Sequence, residues 1–345
     1  MNIQSRFLCV ALLTAALCAC SSNAPSFPSA AAMPDRTTVS LARGPAHVHP
    51  DRRKSWFSSE RAHKASPELF VSDSGTADVY IYKLPKLKLV ATITGFSQPQ
   101  GLCSDTKGNV WIADTNSRTI YELSHHGRLE NELTDKTGFP VACAWDPSTG
   151  NLAVMNIFGT ASNSGAVLVY PPNSLTPSSY ANADQYYYNF GGYDKSGNLF
   201  FDGRDAGGNF MLSELRKGSS SAQTVQVTGG TIVFPGMVQW DTTKQDLVVG
   251  DQSCGSPYES CLYALRIATN GATITGQTAL QNQSGGPVCD LVQGALLNGA
   301  VAGSDFNFCN STPSITALWP YPGGGAPSVY TSKNDSVPVG AAVSK

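Results

Sequence analysis

From residue 68 to the C-terminus the chain is a succession of short apolar runs separated by clusters of Gly, Pro, Asn, Asp and Ser. Leu69-Phe70-Val71, Val79-Tyr80-Ile81-Tyr82, Val110-Trp111-Ile112-Ala113, Leu152-Ala153-Val154-Met155 and Leu199-Phe200-Phe201 are examples. Runs this short, rich in β-branched and aromatic residues and bounded by turn formers, predict strands rather than helices. They recur in a set order: a Pro, a few small or apolar residues, an Asp six positions after the Pro, a Gly-Asn turn, an apolar strand and a polar residue. The clearest copy runs Pro99-Gln100-Gly101-Leu102-Cys103-Ser104-Asp105, then Gly108-Asn109-Val110-Trp111-Ile112-Ala113-Asp114. A second copy spans residues 140–156, and a third replaces the Pro with Tyr188 but keeps Asp194 and Gly197-Asn198. A fourth starts at Pro235, and a degenerate fifth runs from Pro287 through Ala300-Val301-Ala302.

A period of about 40 to 50 residues, each unit holding several strands, is the mark of an architecture built from stacked sheets. The two ends complete the count. Pro338-Val339-Gly340-Ala341-Ala342-Val343 reads as the first strand of a unit with nothing after it. Glu68-Leu69-Phe70-Val71-Ser72-Asp73 reads as a second strand with nothing before it. Joined, they make one four-stranded unit with 79–82 and 89–93 outside, and the stack closes without free edges. The expected fold is all-β, a closed six-bladed ring over residues 68–345. The run from Pro99 to Asp114 resembles an NHL-type β-propeller repeat, and the whole chain is similar to exported bacterial propellers of unassigned function. That resemblance implies a six-bladed propeller with four-stranded antiparallel blades, and says little about ligand or reaction.

The first segment has a different pattern. One basic residue, Arg6, precedes the apolar run Phe7-Leu8-Cys9-Val10-Ala11-Leu12-Leu13, which has the shape of an export signal and is too short to span a bilayer. Its end, Leu17-Cys18-Ala19-Cys20-Ser21-Ser22, resembles a bacterial lipobox in which a cysteine after a small residue is acylated; Cys20 after Ala19 fits. The resemblance implies a signal peptide over 1–19 and a lipid-anchored protein of the bacterial cell envelope. Ser21 in place of Asp points to the outer membrane. Residues 20–67, rich in Ser, Pro, Ala and Arg without periodicity, read as a flexible tether.

Composition narrows the classes further. Of 345 residues only 14% are charged, and the net charge is −2, with no basic stripe along the repeats, so nucleic acid is not an expected partner. Three of the nine cysteines lie in the signal region, leaving Cys103, Cys143, Cys254, Cys261, Cys289 and Cys309. None forms a Cys-x-x-Cys pair, and an exported chain favours disulfides over zinc. Cys103 lies four residues after its Pro and Cys143 three after its own, so they point to opposite faces of neighbouring inner strands and meet between blades. Cys254 and Cys261 bracket one loop. Cys289 and Cys309 fall on the same face of the last blade. The expected pairs are therefore 103–143, 254–261 and 289–309.

Candidate chemistry is sparse. Asp73, Asp114, Asn156 and Asp251 recur at the end of the second strand, with Asp305 nearby; a residue that repeats with the blade is read as building it. Residues that break the repeat carry more information. Tyr187, Tyr188 and Asn189 stand where other copies have Pro, and Arg204 and Asp205 follow that blade's second strand. Together they predict a binding cluster on the face where inner strands begin, with Gln98, Gln100, Asn156 and Asp290 at the same mouth. Lactonase-type propellers hold a metal with Glu, Asn and Asp at inner-strand ends; here those ends offer Gln100, Val141, Asn189, Gly236, Val288 and Val339. Lyase-type chemistry and Ser-His-Asp chemistry both want a histidine at the mouth, whereas His125 and His126 fall in a hairpin on the opposite face. The expectation is a monomeric, non-catalytic propeller without metal or cofactor. Its partners would be the membrane, through the anchor, and a protein, peptide or carbohydrate at one face. A metal-assisted hydrolase or lyase with its site in the channel mouth is the alternative.

Overall fold

A computed structural model describes residues 66–161, 164–255, 259–269, 271–307, 309, 313–332 and 336–345. The signal segment, Cys20 and nearly all of the 20–67 tether lie outside the described residues. Six antiparallel sheets make up the ring. Blade one is closed from both ends of the chain: Pro338–Ser344 is its inner strand, followed outward by Glu68–Asp73, Asp78–Lys83 and Lys88–Ile93. The register runs from Glu68 opposite Ser344 to Asp73 opposite Pro338. Blade two consists of Pro99–Ser104, Val110–Asp114, Thr119–Leu123 and Leu129–Thr134, and blade three of Gly138–Trp145, Leu152–Gly159, Ala166–Tyr170 and Ser178–Tyr180. Blade four has Tyr187–Tyr193, Leu199–Arg204, Phe210–Leu215 and the two-residue Gln223–Thr224.

Two blades depart from the expected pattern. Blade five adds a parallel fifth strand, Val227–Thr228, outside Pro235–Asp241, Asp246–Asp251, Cys261–Ala268 and Gly271–Ala279. In blade six the inner strand is Gly294–Leu297, paired to Ala300–Asp305, with Ile315–Pro320 and Val329–Thr331 outside. The Pro that opens the inner strands of blades one, two and five is here Pro287, which bridges back to Gln281 instead. The chain then turns through Asp290 at φ 63° before the strand begins.

Local chemistry explains the repeated turn. Asp105 Oδ1 accepts the N–H groups of Lys107 and Asn109, while Asn109 Nδ2 donates to Asp105 Oδ2. Asp194 and Asn198 repeat the same bonds in blade four. The residue before each Asn is a glycine at φ +85° or +83°, a left-handed conformation that costs other residues energy. The second strands are buried on both faces, as Val110-Trp111-Ile112-Ala113-Asp114 shows, because each blade is sandwiched between two others. The core is accordingly a set of wedges between neighbouring blades. Phe70, Val79, Ile112 and Tyr121 join blades one and two; Met237, Val248, Val301 and Trp319 join five and six. Each fully buried side chain of this size contributes roughly 1.5–3 kcal/mol.

The disulfides are Cys103–Cys143, Cys254–Cys261 and Cys289–Cys309, with Cα separations of 5.5, 6.0 and 5.6 Å. The first joins the inner strands of blades two and three. The other two tie loops on the face where inner strands begin, termed the upper face below.

Candidate functional site

The acidic position at the end of the second strand is a clamp within the fold. Asp114 accepts the N–H groups of Ser97 and Gln98, just before the inner strand of its own blade. Asp251 does the same for Val233 and Phe234, and Asp73 for Ser336 and Val337. Asp305 Oδ1 accepts from Cys289 and Asn307. Blade three reaches the same end through two residues, Asn156 donating to Asp135, which in turn holds Thr137 and Gly138. Blade four shifts the carboxylate by one place. Fully buried Asp202 accepts Phe190 N–H in its own blade and Gly236 N–H in the next. Burial pushes its carboxyl well above the ordinary range.

Inner strands enter the ring through bulges. The ladder skips Gln100 and Gly101 in blade two, Val141 in blade three, Asn189 and Phe190 in blade four, and Gly236 and Met237 in blade five. A bulge re-aims the side chains it contains. Among the described residues, buried Gln100 Nε2 and Asn189 Oδ1 have no hydrogen-bond partner. Asp290 of blade six makes no side-chain hydrogen bond to a described residue, and burial raises its pKa to about 7; Asp305 is raised to about 7 by burial, with the Asp290 charge a smaller contribution.

The irregular cluster of blade four divides in two. Tyr188 is fully buried, stacked on Phe201 at 5.5 Å, with its hydroxyl donating to Asn182 O and accepting from Asn182 N. Asp205 closes a surface turn by accepting Asn209 N–H and the Asn209 side-chain amide, which holds its carboxyl below the usual range. Tyr187 and Arg204, in contrast, form the centre of an aromatic ledge. The guanidinium of Arg204, 7% exposed, lies 4.7 Å from the Tyr187 ring centre and 4.9 Å from that of Phe234. Tyr187 meets Phe158 and Tyr186 edge-on at 5.2 and 4.9 Å. Val233, 42% exposed, stands at the rim beside Phe234. The ledge thus draws on blades three, four and five. Phe158, Val233 and Phe234 come from irregular lead-ins and strand ends, and no repeat position marks them in the sequence.

A cavity of about 460 Å³ opens at the opposite, lower end of the channel. Its wall includes Trp145, Tyr193, Trp240, Leu296 and Gln239 at the ends of inner strands. Gln293 also lines it and bonds three inner strands together: its Oε1 accepts from Leu102 and Ala341 N–H, and its Nε2 donates to Leu102 O. On the lower face the fold also assembles a Ser-His-carboxylate row. Ser344 Oγ lies 2.5 Å from His125 Nδ1 and donates to Gly108 O, and His125 Nε2 is 3.9 Å from Glu68 Oε2. With its proton committed to Gly108, Ser344 accepts from His125 Nδ1–H. Ser344 is completely buried, so the row seals the blade closure and offers no nucleophile to solvent. Burial and the neighbouring His126 lower the His125 pKa. Among the described residues no group of three or more His, Cys, Asp or Glu side chains is arranged to hold a metal ion.

Sequence and structure comparisons agree with this architecture. The NHL repeat family matches residues 96–120, the start of blade two. No curated protein matches the sequence. Among solved structures the chain is similar to one in a nidogen/laminin complex, at 11% identity and a TM-score of 0.63, covering 81% of this chain and 99% of that one. A protein of unknown function from Bacteroides caccae aligns at 13% identity and a TM-score of 0.61, covering 81% and 100%. TolB from Acinetobacter baumannii aligns at 11% identity and a TM-score of 0.56, covering 81% and 66%. At these identities the likeness is one of fold, and the chain is a six-bladed β-propeller carrying an NHL repeat.

Proposed function

We propose that this propeller is a non-catalytic binding scaffold of the bacterial cell envelope, anchored by acylation of Cys20 and engaging a protein or peptide partner through its upper face. The observation that carries the reading is the Arg204 guanidinium held between Tyr187 and Phe234. Aromatic residues and Arg dominate contact energy at interfaces because they combine a large apolar area with directed hydrogen bonds. The half-buried Tyr186 and Tyr187 and the exposed Val233 extend that ledge to solvent, and the unpartnered side-chain oxygen of Asn189 supplies a polar group close by in sequence. The similarity to a chain in a nidogen/laminin complex supports a protein partner for a fold of this shape. A carbohydrate is the second class such an aromatic ledge accommodates.

A photo-crosslinking residue placed at Tyr186 tests the reading in cells, with the same residue at Lys107 on the lower face as control. A discrete adduct at Tyr186 that disappears when Val233→Glu is introduced is the expected result. Equal adducts at both positions, or none at Tyr186, would refute it.

A further inference from the structure

The lower face collects exposed cations from distant parts of the chain. Lys83, Lys86 and Lys88 flank the outer hairpin of blade one, and Lys107, Lys195 and Lys244 sit on the turns that follow the inner strands of blades two, four and five. All six are exposed, and none has a carboxylate within ion-pair distance among the described residues. Arg128, Arg216 and Arg266 stand on the same face, paired with Glu130, Glu214 and Asp246 at 2.7, 3.1 and 3.8 Å. The turn carboxylates, Asp105, Asp146, Asp194 and Asp241, lie at the feet of their loops, bound to backbone N–H groups, and half-buried Glu122 accepts the Asn109 side-chain amide, while Lys107, Lys195 and Lys244 tip three of the loops. The upper face is the more acidic of the two. Its loops carry Asp78, Asp184, Asp205 and Glu259, and its exposed Lys and Arg among the described residues are Arg118 and Lys136. The chain also joins the ring from below, since Glu68 pairs with Ser344 at the end of the closing strand.

We infer that the lower face docks on a bilayer bearing anionic headgroups, with the lysine-tipped turns meeting the lipid phosphates. The charge pattern selects this occupant. Single ammonium groups spread over a disc suit a planar field of negative charge, whereas a stripe would suit a groove or a strand. The acidic upper face is repelled by the same surface, so docking would orient the molecule with the aromatic ledge away from the membrane. The inference rests on charge alone and needs no acylation.

The test uses the full chain made by cell-free synthesis without membranes, hence unacylated, and vesicles of phosphatidylglycerol with phosphatidylethanolamine or of phosphatidylcholine alone. Binding to the anionic vesicles at low salt, lost at about 0.5 M salt where the screening length falls to a few ångströms, is expected. Each lysine near such a surface is worth roughly a five-fold change in partitioning. The variant Lys86→Gln, Lys88→Gln, Lys107→Gln, Lys195→Gln, Lys244→Gln should therefore bind at least about 100-fold more weakly with an unchanged melting temperature. Should that variant fold poorly, the pair Lys107→Gln, Lys195→Gln is expected to lose about 20-fold. Equal binding to neutral vesicles would overturn the inference, as would wild-type binding by either variant. So would loss of binding on replacing only the basic cluster of the 20–67 tether, Arg52, Arg53 and Lys54, by Gln, or equally tight retention on double-stranded DNA. Acyl labelling in cells is read separately, so a failed anchor and a failed docking face are distinguishable.

Discussion

Asp290 illustrates how a single position in this ring trades stability for polarity. Its carboxyl is buried without a hydrogen bond to a described residue, and its pKa rises from the ordinary 3.8 to about 7. Because the folded state holds the proton more tightly than the unfolded chain, the stability linked to this group is present at low pH. It is lost progressively as pH rises from about 4 to 7, by at most about 1.4 kcal/mol per pH unit. Asp290→Asn keeps a residue that tolerates the left-handed backbone at φ 63° and removes the charge. Its melting temperature should exceed that of the parent at pH 8 and match it near pH 4, as measured by calorimetry across that range. Gln293 behaves oppositely, since its amide serves three buried backbone groups on two other strands. Gln293→Leu would strand those groups and should lower stability by about 2–4 kcal/mol, read from urea denaturation at constant m-value.

Among the elements, the closing strand Pro338–Ser344 matters most, because it completes the sheet of blade one and packs on the inner strand of blade two. Deleting residues 337–345 would uncover the edge of Leu69-Phe70-Val71 and remove the Ser344–His125 contact. A frayed tail ordinarily costs little; here the melting transition should disappear or fall by more than about 10 °C. The covalent tie between blades two and three is the second element-level device. Cys103 and Cys143 are separated by 40 residues, for which loop-closure entropy gives about 4 kcal/mol. The double change to Ser should lower stability by up to that amount, and a smaller loss would measure how far the packing of Trp111, Leu152 and Val154 holds the joint unaided.

The whole molecule pairs two faces of different chemistry on one rigid ring. The upper face offers the Arg204 ledge and acidic loops; the lower face offers lysine-tipped turns and the 460 Å³ cavity. For the anchored scaffold proposed above, Cys20→Ser should abolish acyl labelling and release the protein from the membrane fraction at high salt. Persistent labelling in that variant would rule out Cys20 as the acylated residue.

Much of this architecture is written in short stretches of sequence, because the interactions responsible are local. The Asp–Gly-Asn turn bonds within five residues, so Asp105 to Asn109 is recognisable without knowing what lies beside it. Period and turn together imply the blades, and the half-blades at Glu68 and Pro338 imply the closure. The three cysteine pairs follow from where each cysteine falls in the repeat. What the tertiary structure alone decided depends on groups far apart in the chain. Tyr188 and Tyr187 are neighbours in sequence and strand alternation puts them on opposite faces, but only the packing between blades decides that Tyr188 enters the core and Tyr187 lies under Arg204. Phe234 joins that ledge from the next blade, 30 residues beyond Arg204, and Pro287 fails to open its strand because the chain folds back on Gln281. The lysines of the lower face are scattered from Lys83 to Lys244 with acids between them, so a linear reading averages them to near neutrality. Strands that run alternately up and down carry every second turn to the same side, and only that geometry separates the charges.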